Sequence, residues 1–259
     1  MPPHPLHLVV LTGASRGMGL AIAQQLLSPQ HHVVCVSRQG HAELQAMADA
    51  QGAPLEQWRM DLNKPVPAAA RLGNWLAQHD PAQWASATLI NNAGVIPTVT
   101  SLSQCPAAEV SQALRVGLEA PMLLMQAFLG STLAWVDAGW RGPRKVLNIS
   151  SGLGRRAMAA QAPYCAAKAG MDHMSRCVAL EEAEHPFGAK VVSLAPGVID
   201  TDMQVHLRGA SAQHFPDHAR FVELHTQGYL TSPEHAAKRV LAYLAQPDFG
   251  QQPVDDVRD

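Results

Sequence analysis

Short apolar runs alternate along the chain with longer stretches in which apolar residues return at helical spacing. Leu8–Leu11, Val33–Ser37, Leu55–Met60, Thr88–Asn91, Lys145–Ile149 and Lys190–Leu194 read as strands. Several are almost wholly apolar, as expected of parallel strands that meet no water on either face. Gly19–Leu27 and Arg71–Gln78 read as helices between them. The repeated strand–helix–strand order predicts an α/β fold, a single doubly wound parallel sheet flanked by helices.

No linker divides the pattern, so one domain is expected over residues 1–259. Ala134–Arg144 reads as an extended helix end followed by a surface loop. The stretch from about Asp200 to Leu230 follows a strand and is rich in polar and small residues, which predicts a lid over a site. A helix is expected over Pro233–Leu244, capped by Ser232 with proline at its first position. The tail Pro253–Asp259 reads as a short last strand.

Composition narrows the function. With 47% hydrophobic residues the chain is expected to be ordered. A formal net charge of −2 lacks the basic excess that attracts a phosphate backbone, which argues against nucleic-acid binding. No Lys/Arg run suggests an anionic membrane surface. No segment reads as a membrane span or a signal peptide, so a cytoplasmic location is expected. Cys35, Cys105, Cys165 and Cys177 show no paired spacing and read as reduced thiols. The 13 histidines, His31 and His32 among them, are scattered and read as solvated; no metal site is expected.

The first candidate chemistry follows the first strand. Thr12–Gly19 reads TGASRGMG, with Gly13, Gly17 and Gly19 in a strand-to-helix turn. Glycine permits the tight turn and close approach to a pyrophosphate, while the helix N-terminus supplies N–H groups and a positive dipole end. This is a Rossmann-type dinucleotide turn, with Ser15, Arg16 and Met18 beside the glycines. The second strand ends in Ser37–Arg38, where an NAD site would carry an acid. Arg16 and Arg38 can hold a 2′-phosphate bidentately, so NADPH/NADP+ is the expected cofactor.

With these motifs in place, the chain resembles the short-chain dehydrogenases/reductases over nearly its whole length. The resemblance rests on TGASRGMG, Asp61–Leu62, NNAG (Asn91–Gly94), NISSGLG (Asn148–Gly154), YCAAK (Tyr164–Lys168) and PGVIDTDM (Pro196–Met203), in order. The C-terminal half is most similar to the branch of sepiapterin reductase and the bacterial benzil reductases. The resemblance implies NADPH-dependent reduction of a ketone or diketone.

Tyr164 and Lys168 are four apart and share one helix face. Ketone reduction needs hydride on carbon and a proton on oxygen. Tyr164 can deliver that proton if the Lys168 ammonium stabilises its phenolate. Ser151, thirteen residues earlier as in the family, can hold the substrate oxygen, while Ser150 is expected to point into the fold. The resemblance further implies that Asp61 accepts from the adenine amino group with Leu62 also at the cofactor, that Asn91, Ala93 and Gly94 line the cofactor, and that Pro196, Gly197, Ile199 and Thr201 hold the nicotinamide end. Gly197 also adjoins the substrate.

Two positions leave alternatives open. Gly117 stands where the family carries an asparagine thought to hold a bend and a proton relay. That departure motivates a second reading, an NADPH sensor or scaffold with little turnover. An NADP-linked alcohol dehydrogenase is a third, since the chemistry is reversible. Asp256 aligns with the aspartate that anchors a pterin in the sepiapterin branch, with Asp255 and Asp259 as rivals and a solvated acidic tail as the bland alternative. The expected partners are a small carbonyl substrate and a second copy of the chain, as homodimer or homotetramer.

Overall fold

The computed structural model describes residues 5–258. Strand β1 (Leu6–Thr12) runs into helix α1 (Gly17–Leu26). Then come β2 (His31–Ser37), α2 (Ala42–Gln51), β3 (Leu55–Arg59), α3 (Pro65–Gln78) and β4 (Trp84–Asn91). Helix α4 (Ala107–Leu114) continues through a π-helical turn, Arg115–Glu119, into α5 (Ala120–Asp137). Next are β5 (Arg144–Ile149), α6 (Ala162–Ala183), β6 (Lys190–Ala195), α7 (Asp202–Arg208) and α8 (His218–Thr226). Helix α9 (Pro233–Leu244) and β7 (Val254–Asp256) complete the described chain.

Among the described residues the strands form one seven-stranded parallel sheet in the order β3-β2-β1-β4-β5-β6-β7. Alternation along the buried strands builds a core on each face. Val9, Leu11, Val33, Leu147 and Leu194 pack with α1, α2 and α9 on one side. Leu8, Val10, Val34, Val146 and Val191 pack with α3, α5 and α6 on the other. The chain reverses direction across the sheet between β1 and β4, which opens a crevice at the carboxyl ends of those strands.

The expected strands are present, with longer starts. β1 begins at Leu6, β2 at His31 and β4 at Trp84. Their first residues break the apolar run, yet the backbone already pairs, His7 with His31 and Leu6 with Trp84. Ladder hydrogen bonds set a strand's end, and the apolar run marks only its buried part. The expectation of solvated histidines fails at His32. It lies in β2, bonds Glu56 at 3.0 Å and packs edge-on against Trp75 and Trp84.

The expectation that no segment has membrane-spanning length also needs correction. The continuous helix Ala107–Asp137 is 31 residues long, and an 18-residue window within it has mean hydropathy 1.2. Its Val116, Leu124, Met125 and Phe128 are buried in the core beside α3 and α6, so its apolar side has a protein partner.

Candidate active site

The crevice holds a cavity of about 770 Å³. Its floor is the turn between β1 and α1. Gly13 and Gly17 have φ of 71° and 53°, where side chains are disfavoured. A Cβ on Gly13 would stand 2.9 Å from the Ala93 Cα, and one on Gly19 would stand 2.1 Å from the Gly13 carbonyl oxygen. The turn is therefore clamped against the end of β4. Asn92 donates from its side chain to the Thr12 carbonyl at 3.1 Å, and the Asn92 and Ala93 N–H groups each donate to the Thr12 hydroxyl at 3.0 Å. The result is a bare backbone cradle at a helix N-terminus, which fits a pyrophosphate.

Most residues singled out from the sequence face this one cavity. Ser15, Arg16, Met18 and the three glycines line its floor; Ser37, Arg38, Asp61 and Leu62 line one end. Ala93 and Gly94 lie in the middle, and Ser151, Tyr164, Lys168, Pro196, Gly197, Ile199 and Thr201 line the other end. Arg38 makes no ion pair among the described residues. Arg16 does: it reaches across to Asp202 at 2.7 Å, with both side chains mostly exposed. Arg16 and Arg38, the two guanidiniums expected to hold a 2′-phosphate, thus both line the cavity, with Arg16 drawn to the acid opening α7.

Two expected residues do not line the cavity. Asn91 is buried in β4 and donates to the Asn148 side chain at 2.8 Å; its neighbour Asn92 lines the site instead. β-strand alternation turns one of two adjacent asparagines inward. Asp256 is likewise buried at the end of β7. Its carboxylate accepts from the Arg258 guanidinium at 2.7 and 2.5 Å and from the Arg258 N–H at 3.0 Å. These contacts hold it below the usual carboxylate range, and Arg258 takes the place on the cavity wall. Its rival Asp255 accepts from the Tyr243 hydroxyl at 2.7 Å, and Asp259 lies outside the described residues.

The end that carries the expected catalytic residues is built by β5 and α6. Ser151 follows β5, and its hydroxyl accepts from the Leu153 N–H at 3.1 Å and bonds the Tyr164 phenol. Burial pushes Tyr164 up to about 12, against a downward pull from Ser151. Lys168 is expected to lower this group, but in the protein alone desolvation wins. Lys168 is also buried, with its Nζ 5.8 Å from the Tyr164 ring centroid, and donates to the Ile149 carbonyl at 2.6 Å. Burial pulls the Lys168 ammonium down to about 8, partly offset by the Asp172 carboxylate.

Asp172 went unnoticed in the sequence. It is buried, and accepts from the Ser150 hydroxyl at 2.5 Å, the Ser193 hydroxyl at 2.7 Å and the Arg155 Nε at 3.2 Å. Arg155 in turn donates to the Asp255 carbonyl at 2.7 Å, tying β7 to the site. Asp172 falls one helical turn after Lys168, so spacing alone could have flagged a carboxylate on that face. Ser150 points inward, as expected. Gly117 sits in the π-helical turn, buried, where a Cβ would come within 3.0 Å of the Ala167 Cβ. The bend exists without the asparagine, and glycine lets this turn pack directly on α6 beside Lys168.

A family model for the short chain dehydrogenases matches residues 7–211. This chain belongs to the short-chain dehydrogenase family. As a short-chain dehydrogenase it is 32% identical over 247 residues to a protein named benzil reductase ((S)-benzoin forming) from Bacillus cereus, covering 95% of this chain and 97% of that one. Sepiapterin reductase of Bos taurus is 30% identical over 252 residues, with coverage of 93% and 91%. Among solved structures, a metagenomic short-chain oxidoreductase in complex with NADP superposes with a TM-score of 0.69 at 28% identity, covering 96% of this chain and 94% of that one. The short-chain dehydrogenase is thus an oxidoreductase by family, and its site faces a cavity built for a dinucleotide.

Proposed function

We propose that this chain is an NADPH-dependent carbonyl reductase that converts a ketone or diketone to an alcohol. The observation that carries the reading is the convergence of Ser151, Tyr164 and Lys168 on the same cavity as the glycine cradle. When bound, NADPH supplies the hydride to the carbonyl carbon. The Ser151 hydroxyl donates to the substrate oxygen and holds it beside the Tyr164 phenol. Burial keeps that phenol protonated, so it can give its proton to the oxygen as the alcohol forms. The Lys168 ammonium holds the cofactor ribose and stabilises the phenolate left behind.

Cofactor choice rests on Arg38, which follows β2 and makes no ion pair among the described residues, and on the lack of an acid at that strand end. The NADP held by the metagenomic relative agrees with that choice. The diketone preference draws on the name of the Bacillus cereus relative and on apolar walls from Ile96, Leu153, Met158, Leu207 and Phe221. The α7–α8 segment, which carries Leu207 and Phe221, serves as the lid that excludes water. The reductase works as a homodimer or homotetramer.

The test is cofactor oxidation with benzil, sepiapterin and simple ketones, using NADPH and then NADH. A diketone is reduced with NADPH and more slowly with NADH. Tyr164→Phe lowers the rate by at least about a hundredfold while NADPH affinity is retained. Wild-type protein that binds NADPH and reduces no carbonyl compound would sink the reading and favour the sensor alternative.

A further inference from the structure

The charges on the cavity wall do not balance. Asp202 is paired with Arg16 at 2.7 Å, and Asp200 faces Arg208 at 3.7 Å. Arg156 and Arg220 also line the cavity, are exposed, and make no side-chain hydrogen bond or ion pair among the described residues. The whole chain carries a formal charge of −2, so this local positive excess is not a general property of its surface.

These arginines lie on other elements than Arg38, which follows β2. Arg156 follows the short turn after Ser151, two residues before Met158. Arg220 lies in α8, next to Phe221. Met158 and Phe221 belong to one apolar cluster with Leu207, Phe215 and Val99, against which Leu153 and Ile96 pack. The two arginines come from different elements and line one cavity together with Tyr164 and with Met158, Leu207 and Phe221 of that cluster. Hydrophobic walls beside unpaired guanidiniums suit a ligand with an apolar body and an anionic end.

We infer that Arg156 and Arg220 form an anion subsite, and that the substrate is an aromatic ketone or diketone bearing a carboxylate away from the reacting carbonyl. This rests on the reductase reading and extends it to a substrate class. The planar guanidinium matches a carboxylate in two-point hydrogen bonding, and positive charge at the mouth draws an anion in. Neither group takes part in proton transfer, so their effect falls on substrate capture.

The experiment compares benzil with 4-carboxybenzil as substrates, in the wild type and in Arg156→Gln/Arg220→Gln. Expected is a preference for the carboxylated compound of roughly tenfold in kcat/KM, carried by KM, weakening with added salt and reduced to near parity in the double variant. Affinity for NADPH, measured by its fluorescence, stays at the wild-type value and reports that the variant is folded. Equal kcat/KM for both compounds in the wild type overturns the subsite while leaving the reductase reading intact. A double variant that instead loses NADPH affinity assigns the arginines to the cofactor and also overturns it. Wild type that reduces sepiapterin or a simple ketone but neither benzil overturns the subsite alone; wild type that reduces no carbonyl compound sinks the reductase reading, and the subsite with it.

Discussion

Tyr164, Lys168 and Asp172 stand four residues apart on α6, so one helix face carries a phenol, an ammonium and a carboxylate in a row. Burial disfavours the charged form of Lys168, and the Asp172 carboxylate opposes it. Arg155, facing the same carboxylate, weakens that help without removing it. Below about 8 the ammonium is present; above it the charge is lost, and with it the stabilisation of phenolate. The kcat/KM for carbonyl reduction is therefore expected to fall as pH rises through about 8. Asp172→Asn preserves the shape but removes the charge, so this alkaline limb should move to lower pH. A limb that stays in place while only the maximal rate drops would mean that Asp172 serves packing alone. The spacing of Tyr164 and Lys168 was legible in the sequence. The sign of the tyrosine shift was not, because it depends on how much solvent the neighbours remove.

At the scale of elements, the link between β5 and α6 is made at its far end by a buried ion pair. Arg144 and Glu182 meet at 2.5 Å with side chains 0% and 9% exposed. Glu182 also accepts from the Ala189 N–H at 2.7 Å, and a Cβ on Gly188 would stand only 1.7 Å from the Glu182 carbonyl oxygen. The turn out of α6 is thus closed by one carboxylate and one glycine. Removing the acid leaves the Arg144 charge without its partner. Glu182→Ala is expected to lower the unfolding free energy by about 3–5 kcal/mol in urea titration. The exposed neighbour Glu181→Ala should change it little. A Glu182→Ala loss below about 1 kcal/mol would show that the pair behaves like a surface one. Neither residue stood out in the sequence, because each lies near an element end where charged side chains are ordinary. Helix α9, in contrast, matches its expected bounds. Its Ser232 cap accepts from the His235 N–H at 3.2 Å, and that signal is wholly local.

For the whole molecule, apolar surface remains to be covered. Leu180 on α6 and Met122 on α5 are 73% and 46% exposed. Sedimentation should show a dimer or tetramer, and Leu180→Glu should shift it toward monomer. A monomeric wild type at assay concentrations would remove the oligomer from the proposal. The alternation of apolar runs and helical stretches determined the parallel sheet by itself, since strands buried on both faces must be apolar and must be joined by helices. The glycine turn was equally local, because its backbone conformation and its contact with β4 admit no side chain. What the tertiary structure decided depends on which groups meet across distant segments. It turned Asn91 inward and Asn92 outward, closed Arg258 over Asp256, drew Arg16 to Asp202, and left Arg156 and Arg220 on one cavity wall without an ion pair among the described residues. Each of these is a competition between partners far apart in the chain, and a sequence pattern records the residues but not which of them win.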